Sequence, residues 1–325
     1  MSDSDVAASP SGEAHLSIGA VSEIAGIPEA TLRVWERRYR FPQSARSPGG
    51  HRQYSHQDVL QLRWVKMQMD AGMRASSAIS ARALLARDSA VHSALREPVP
   101  PAGPPDPAAG EARARLLTAL LAYDTAQAAA LLDQVAMRSS IQSAVLDVVG
   151  PALAAIGDAW ADGNADVAVE HFATNFLRHH LLKWMRASPA PHPARPVALA
   201  CAPDELHEGS LLMLGVLLRQ LRWPVLYLGQ SLPLADLDAL VQRAHPALIV
   251  FVAMREPSAR ALAEWPRWLR SRGGFQAPLI GYGGRAFTEH PALAGSVPGT
   301  LLGATLHEGS QRINRVMLHL AVLRQ

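Results

Sequence analysis

A carboxylate two positions before a histidine, Glu205-Leu206-His207, opens the stretch of this chain best equipped for chemistry. A neutral imidazole can offer one nitrogen to a metal while a hydrogen bond holds the other, and a nearby acid supplies that bond. The stretch continues Glu208-Gly209-Ser210, with an apolar run at 197–203 before it and a helical apolar pattern at 211–218 after it. His207 therefore falls on a strand-to-helix loop at the carboxyl end of a strand, where α/β sheets bind ligands. Taken alone, the same histidine also reads as an exposed loop residue, so its neighbours decide the case.

A second constellation lies upstream. Trp160 closes one helical pattern, and Glu170-His171 opens the next, ten positions on. Across a short connection at 162–164 an aromatic face and a polar pair can meet. His179 and His180, on the same expected helix, read as surface or rim residues. A third group is basic. Between Ser17 and Arg82 stand ten Lys and Arg residues against five acids, whereas the whole chain carries a net charge of only +3. A basic module on a near-neutral chain points to a polyanionic partner.

Each group needs elements to position it. Ser17 can cap a short helix with Ile18, Val21, Ile24 and Ala25 inward, and Gly26 can stop it. Pro28 opens a second helix at 29–38, which makes a helix-turn-helix with Leu32 and Trp35 inward. Thr31, Arg33, Arg37 and Arg38 face outward, toward base edges or phosphates. The segment 39–54, with Pro42, Pro48, Gly49 and Gly50 around Arg46, His51 and Arg52, is a charged hairpin or wing. Ser55 and Asp58 cap a third helix. Gly72 ends it, and a fourth is expected at 75–87.

Six prolines between 97 and 110 exclude helix and sheet, leaving a semi-extended linker. Four apolar stripes from 111 to 187 predict a four-helix bundle. One runs through Leu116, Leu117, Leu120, Leu121 and Tyr123. Beyond Arg195, strands are expected at 197–202, 225–228, 247–253, 278–281 and 301–302. Helices are expected between them at 209–222, 235–243, 258–272 and 309–323. This alternation is that of a doubly wound parallel sheet. It brings together three carboxyl-end loops, 204–210, 253–256 and 281–284. The organisation expected is thus a disordered tail (1–15), an all-α winged helix-turn-helix head (16–90), a proline-rich linker (91–110), a helical cap (111–190) and an α/β domain (195–325).

Composition sets the outer bounds. The chain has 325 residues, 49% of them hydrophobic, which is ample for two or three cores. No continuous apolar run approaches the ~18 residues of a membrane span. The polar, acidic start lacks the pattern of a signal peptide. A single cysteine, Cys201, precludes an intramolecular disulfide and suits a cytoplasmic setting.

Residues 16–85 resemble the DNA-binding domain of MerR regulators. The resemblance is carried by Ile18-x-x-Val21-x-x-Ile24-Ala25-Gly26-Ile27, by Ala30-Thr31-Leu32-Arg33-x-Trp35-Glu36-Arg37-Arg38-Tyr39, and by Gly50-His51-Arg52-x-Tyr54. It implies an operator-DNA partner gripped through Thr31, Arg33, Arg37, Arg38, Tyr39, Arg46, His51, Arg52 and Tyr54. Trp160 with Glu170-His171 resembles the Trp-x9-Glu-His signature of cobalamin-dependent light-sensing transcription repressors. In that likeness Trp160 covers the upper ligand of adenosylcobalamin, and Glu170 and His171 line the same face. Glu205-x-His207 resembles the Asp/Glu-x-His-x-x-Gly motif of cobalamin-binding Rossmann domains, in which the histidine binds cobalt from below and the acid orients it. Gly281-Tyr282-Gly283-Gly284 resembles the loop that lets the displaced nucleotide tail approach backbone.

Three positions depart from those patterns. Gly209-Ser210 places the glycine one position early, Met254 ends a strand where serine is usual, and Ala161 follows Trp160 where the light sensors carry a histidine. The reading is a regulator, a repressor rather than an enzyme, that binds double-stranded operator DNA as a homo-oligomer under control of adenosylcobalamin and light. Its cobalamin site comprises Trp160, Glu170, His171, Glu205, His207, Gly209, Ser210, Met254, Gly281, Gly283 and Gly284. The departures keep two alternatives open, a regulator that oligomerises without cofactor and one that senses another tetrapyrrole or apolar ligand. A cobalamin-dependent enzyme subunit is the remaining class.

Overall fold

The computed structural model describes residues 16–46, 51–80, 82, 97–100, 107–264 and 278–322. The expected tail, the wing tip at 47–50, much of the linker, and the ends of the helices expected at 75–87 and 258–272 lie outside the described residues. The described residues up to 82 belong to one compact unit and those from 97 onward to a second.

In the first unit, α1 (Ile18–Ala25) starts where the Ser17 hydroxyl accepts from the Ala20 amide, and ends at Gly26 with φ of 66°. Val21 and Ala25 are buried, but Ile24 is 48% exposed. At 3.6 residues per turn, 18, 21 and 25 share a face that 24 leaves, so Ile24 is not the inward residue its type suggested. Helix α2 (Glu29–Tyr39) follows Pro28 and buries Leu32 and Trp35. Strands β1 (Ala45–Arg46) and β2 (Arg52–Gln53) pair antiparallel as the wing, so the head is not purely helical. Helix α3 (His56–Asp70) begins at a complete Ser55–Asp58 capping box.

In the second unit, α4 (Pro107–Leu121) begins inside the stretch expected to be linker. Proline is accepted in the first helical turn because its missing N–H has no partner there. Burial of Ala109, Leu116 and Leu120 holds the helix. Leu121 and Tyr123, expected in its apolar stripe, are each 47% exposed. Tyr123 has left the helix with φ of 57°, and its ring lies 4.9 Å from that of Phe172.

Helix α5 (Thr125–Arg138) is capped by Asp124. Helix α6 (Ile141–Ala161) carries a π-helical turn at Ala144–Val149. By length and composition it is apolar enough to cross a membrane, although no continuous apolar run suggested a span. Its Val145, Val148, Val149, Ala152 and Ile156 are spent in the bundle core. Helix α7 (Val167–Ala187), capped by Asp166, completes the four.

Five parallel strands follow: β3 (Val197–Cys201), β4 (Val225–Gly229), β5 (Leu248–Val252), β6 (Leu279–Gly283) and β7 (Thr300–Leu301). Their order is β4-β3-β5-β6-β7. Between β3 and β5 the chain reverses its direction of winding, which creates a crevice at the carboxyl edge. β3 and β5 are buried at every position, as expected of strands covered on both faces.

Helix α8 (Gly209–Gln220) joins sheet to bundle. Every residue from Leu211 to Leu218 is buried. Leu212, Met213, Val216 and Leu217 enter the bundle core, while Leu211, Leu214 and Leu218 pack with β3 and β5. A helix apolar on all sides has to be enclosed. Gly215 makes that possible, since a Cβ there would sit 3.0 Å from Met185 Sδ of α7 and 3.4 Å from Leu199 Cδ1 of β3. The remaining helices are α9 (Leu237–Ala244), α10 (Glu256–Ala261), α11 (Arg285–Glu289) and α12 (Leu306–Val322).

Candidate functional site

The β3–α8 loop stands over the crevice and is fastened from three sides. Glu205 has 0% of its surface exposed. Its carboxylate accepts from the amides of Met254 (2.8 Å) and Arg255 (3.0 Å), at the end of β5. It also accepts from the His207 amide (3.0 Å) and bonds the His207 ring at Nδ1 (2.6 Å). Burial, the largest influence, pushes the Glu205 carboxyl up, but its hydrogen bonds outweigh burial and hold it below its ordinary range. An ionised Glu205 makes Nδ1 the protonated nitrogen. That leaves Nε2, on a side chain 64% exposed, as the nitrogen able to ligate.

From the β4 side, the Gln230 amide donates to the Leu206 carbonyl (2.7 Å), and the Ser231 amide donates to the Glu205 carbonyl (3.0 Å). From the bundle, Arg178 of α7 donates to Glu208 at 2.5 Å. Tyr227 of β4 donates to the other oxygen of the same carboxylate. Burial first, then the bonded Glu208 carboxylate, pushes the Tyr227 hydroxyl well above its usual range. Cys201 ends β3 beneath this loop, and burial pushes its thiol up to about 12, which leaves it a packing residue rather than a thiolate ligand.

A cavity of about 290 Å³ lies at the carboxyl edge, with Ser210, Met254, Gly283 and Gly284 in its wall. The three loops expected to converge do so. Ala253 N donates to Gly283 O at 3.0 Å, and the Ser210 hydroxyl donates to Met254 Sδ at 3.6 Å. The glycines divide by cause. Gly283 has open space where a Cβ would stand. Gly284, at φ of 115°, would place one 2.2 Å from the Ala253 carbonyl oxygen, and Gly281 would place one 2.8 Å from Leu302 Cδ1.

Gly281 is therefore a packing glycine outside the cavity wall, contrary to its expected role. Gly209 is also outside that wall, with Leu153 Cδ1 at 3.4 Å from where its Cβ would be. The loop after β7, with Gly303 and Thr305, adds a wall that sequence reading missed. Its signal was present in the strand at 301–302, which must deliver its following loop to the same edge.

Trp160 ends α6 and is 51% exposed. Glu170 and His171 occupy the first turn of α7, with His171 Nε2 3.6 Å from the Glu170 carboxylate. Thr174 donates to Glu170 at 2.9 Å. Arg178 follows His171 by seven residues, two helical turns, so it shares their face about 10 Å further along. The face bearing Glu170 and His171 is thus the one attached to the His207 loop. His179 is exposed, as expected, but His180 is half-buried, with its ring 4.7 Å from that of Phe176. Burial is the main cause that holds it below the usual histidine range.

In the first unit, Glu36 of α2 gathers the wing. It accepts from Ser44 (3.0 Å), Arg52 Nε (2.5 Å) and the Tyr54 hydroxyl (2.5 Å). Burial, the largest influence, pushes its carboxyl up, but these bonds win and hold it below its usual range. Tyr54 has 0% exposure, so this aromatic expected on DNA is a core strut instead. Arg52 is a partly buried brace, and Arg33 pairs with Glu29 at 2.7 Å. Arg37, Arg38, Arg46 and His51 are exposed, Thr31 and Tyr39 half-buried. The Arg38 guanidinium lies 5.5 Å from the centre of the Tyr39 ring.

A helix-turn-helix with a basic outer face, and a parallel sheet presenting one oriented imidazole beside a crevice, define a DNA-binding regulator with a ligand-binding module. Sequence comparison agrees at both ends. Residues 16–79 match the MerR HTH family of regulatory proteins, and residues 112–181 match the B12 binding domain. The HTH-type transcriptional repressor CarH of Myxococcus xanthus is 31% identical over 276 residues, spanning 85% of this chain and 91% of that protein. The repressor CarA of the same organism is 31% identical over 302 residues, 92% of this chain and 94% of its own length. The chain belongs to this family of MerR-type transcriptional regulators with a B12-binding domain; these relatives are regulators, not enzymes. In fold, 64% of the chain aligns with 99% of a monomethylamine corrinoid protein of Methanosarcina barkeri, with a TM-score of 0.52 at 12% identity.

Proposed function

We propose that this protein is a repressor whose grip on operator DNA is set by adenosylcobalamin held between α7 and the β3–α8 loop. The observation that carries the reading is the Glu205–His207 pair. A single imidazole, fixed through Nδ1 and exposed at Nε2, suits a metal that brings its other ligands in a macrocycle. The donor set fits cobalamin. Among the described residues, no group of three or more His, Cys, Asp or Glu side chains could hold a bare ion. The cavity walled by Ser210, Met254, Gly283 and Gly284, at the end of the β3–α8 loop that carries His207, suits the nucleotide tail.

The cofactor supplies a cobalt centre and, in its adenosyl form, a photolabile cobalt–carbon bond. His207 would hold the cobalt through Nε2, and Glu205 would fix the imidazole's tautomer and direction. Trp160, Glu170 and His171 would cover the cofactor's adenosyl group. Residues 16–90 form the DNA-binding head, 111–190 the cap and 195–325 the cofactor-binding domain, with the linker ending by 106. Thr31, Arg33, Arg37, Arg38, Arg46, His51 and Arg52 meet DNA. Occupancy favours a homo-oligomer that engages several half-sites, and light releases it. For that, the ligand has to prefer the assembled state. Ala161 offers no donor beside Trp160, so the light response is a separate arm of the test.

Purified protein mixed with adenosylcobalamin in the dark is expected to co-elute with the chromophore, enlarge in size and bind operator more tightly. Illumination is expected to reverse the last two. Absence of bound chromophore in the dark sinks the reading. Retention of both chromophore and assembly after illumination removes only its light arm.

A further inference from the structure

The carboxylate after the ligating histidine has no part in the reading above, yet it is one of the few buried charged groups. Glu208 is 7% exposed. One of its oxygens accepts from Arg178 Nε at 2.5 Å, and the other accepts from the Tyr227 hydroxyl. These partners come from three elements, the β3–α8 loop, bundle helix α7 and strand β4. A carboxylate taken out of water costs several kcal/mol unless it is paired, so its burial beside an exposed loop histidine calls for a reason.

The geometry points to one: Arg178, Glu208 and Tyr227 are positioning residues that fix the height of α7 above His207. His207 and Glu208 are adjacent in one loop. Glu205 ties that loop down to the end of β5, and Glu208 ties it up to α7. On α7 the Arg178 anchor shares a face with Glu170 and His171, two turns away. At the other end of α7, Arg219 and Gln220 of α8 bond Ser188 and Pro189, so at the end nearer Glu170 and His171 it is the Arg178–Glu208 bond that ties α7 to the His207 loop. Apolar packing of α8 against α7, through Gly215, Met185, Leu212 and Val216, holds the two helices together but is non-directional. The Arg178–Glu208 bond is directional.

The clamp thus acts on the upper ligand of the corrinoid, the part that touches α7 and the end of α6. It discriminates adenosylcobalamin from forms with a small upper ligand, and it leaves ligation by His207 alone. This inference rests on the cobalamin reading given above, and its test separates the two.

Dark equilibrium titrations of the full-length protein with adenosylcobalamin and with methylcobalamin give two dissociation constants. The two ligands share their lower face and tail and differ only above cobalt. Wild type is expected to favour the adenosyl form. Loss of one charge-assisted bond in Arg178→Gln or Glu208→Gln is expected to lower that preference about tenfold. The imidazole-ligated absorption spectrum and the affinity for methylcobalamin should stay near wild type. Arg178→Lys should recover most of the preference.

Arg178 is 38% exposed at its side chain, and Glu208→Gln is isosteric, so both variants are expected to fold; circular dichroism and melting check this. A folded Arg178→Gln or Glu208→Gln protein that keeps the wild-type preference overturns the clamp. So does a wild type that binds both forms equally, although cobalamin binding then stands. If wild type binds neither, the cobalamin reading itself falls, and the clamp with it.

Discussion

Three carboxylates, Glu205, Glu208 and Glu36, do most of the orienting among the described residues, and each does so by accepting more than one bond while buried or partly buried. Glu205 collects three backbone amides and the His207 ring. Its replacement by Gln puts an N–H where donors already point and lets the imidazole turn. Glu205→Gln is expected to weaken cobalamin binding by about ten- to a hundredfold. His207→Ala is expected to abolish the imidazole-ligated spectrum; absorbance titration reads both. Glu36 does the corresponding work in the head.

Glu36 also sets a pH dependence. Its folded-state pKa is depressed, so its contribution is fully present above the ordinary carboxylate range and is lost as pH falls through the lowered value. Amide protection at Arg52–Tyr54, the intrinsic exchange rate relative to the observed rate at each pH, is therefore expected to fall below the usual carboxylate range in wild type. Glu36→Gln should show low protection already at neutral pH, with little further change on acidification. Unchanged wild-type protection across that range would show that Glu36 does not govern the wing.

At the scale of elements, two adjacent glycines at the end of β6 separate structure from binding. Gly284→Ala drives a methyl into the Ala253 carbonyl at a φ that side chains avoid. It is expected to cost more than about 2 kcal/mol, seen as a lower denaturant midpoint. Gly283→Ala meets nothing within 4 Å and is expected to leave that midpoint alone while changing cobalamin affinity, because its methyl projects into open space beside the cavity. Equal midpoints for the two variants would refute the division.

On the recognition helix, Arg37→Ala is expected to lower the salt slope of operator binding by about one. Arg52→Ala is expected instead to act through the wing, lowering the protection measured above. Such differences were not legible in residue type. The chain marks Arg33, Arg37 and Arg52 alike as basic, but only the fold shows that two of them are bonded to acids.

For the whole molecule, the proposed cobalamin site lies in the second unit and the helix-turn-helix in the first. A ligand that binds only the folded second unit should stabilise it by RT ln(1 + [L]/Kd), about 2.7 kcal/mol at a hundredfold excess over Kd. Calorimetry of the full chain in the dark is expected to show the second unit's transition moving up with adenosylcobalamin while that of the head stays. Movement of both together would mean that the two units unfold as one.

The sequence by itself determined the helix-turn-helix, its Ser17 and Ser55 caps, the order of strand and helix beyond Arg195, and the pairing of Glu205 with His207. Each of these depends on neighbours in the chain: a period of 3.6 or 2, a cap three residues from its partner, a carboxylate two residues from an imidazole. Even the resemblance to cobalamin proteins was carried by such short spacings. Where those local signals met a longer-range demand they failed, as at Ile24, at the linker's end near Pro107, and at Tyr54. What surrounds a side chain there is decided by elements remote in sequence. Only the tertiary structure decided that Gly281 serves Leu302 rather than a ligand, that Tyr54 braces Glu36, and that Glu208 meets Arg178 thirty residues before it and Tyr227 nineteen after. Apolar patterning specifies which faces are buried, but not which buried polar groups find each other. That choice is made when α7, α8 and β4 pack together.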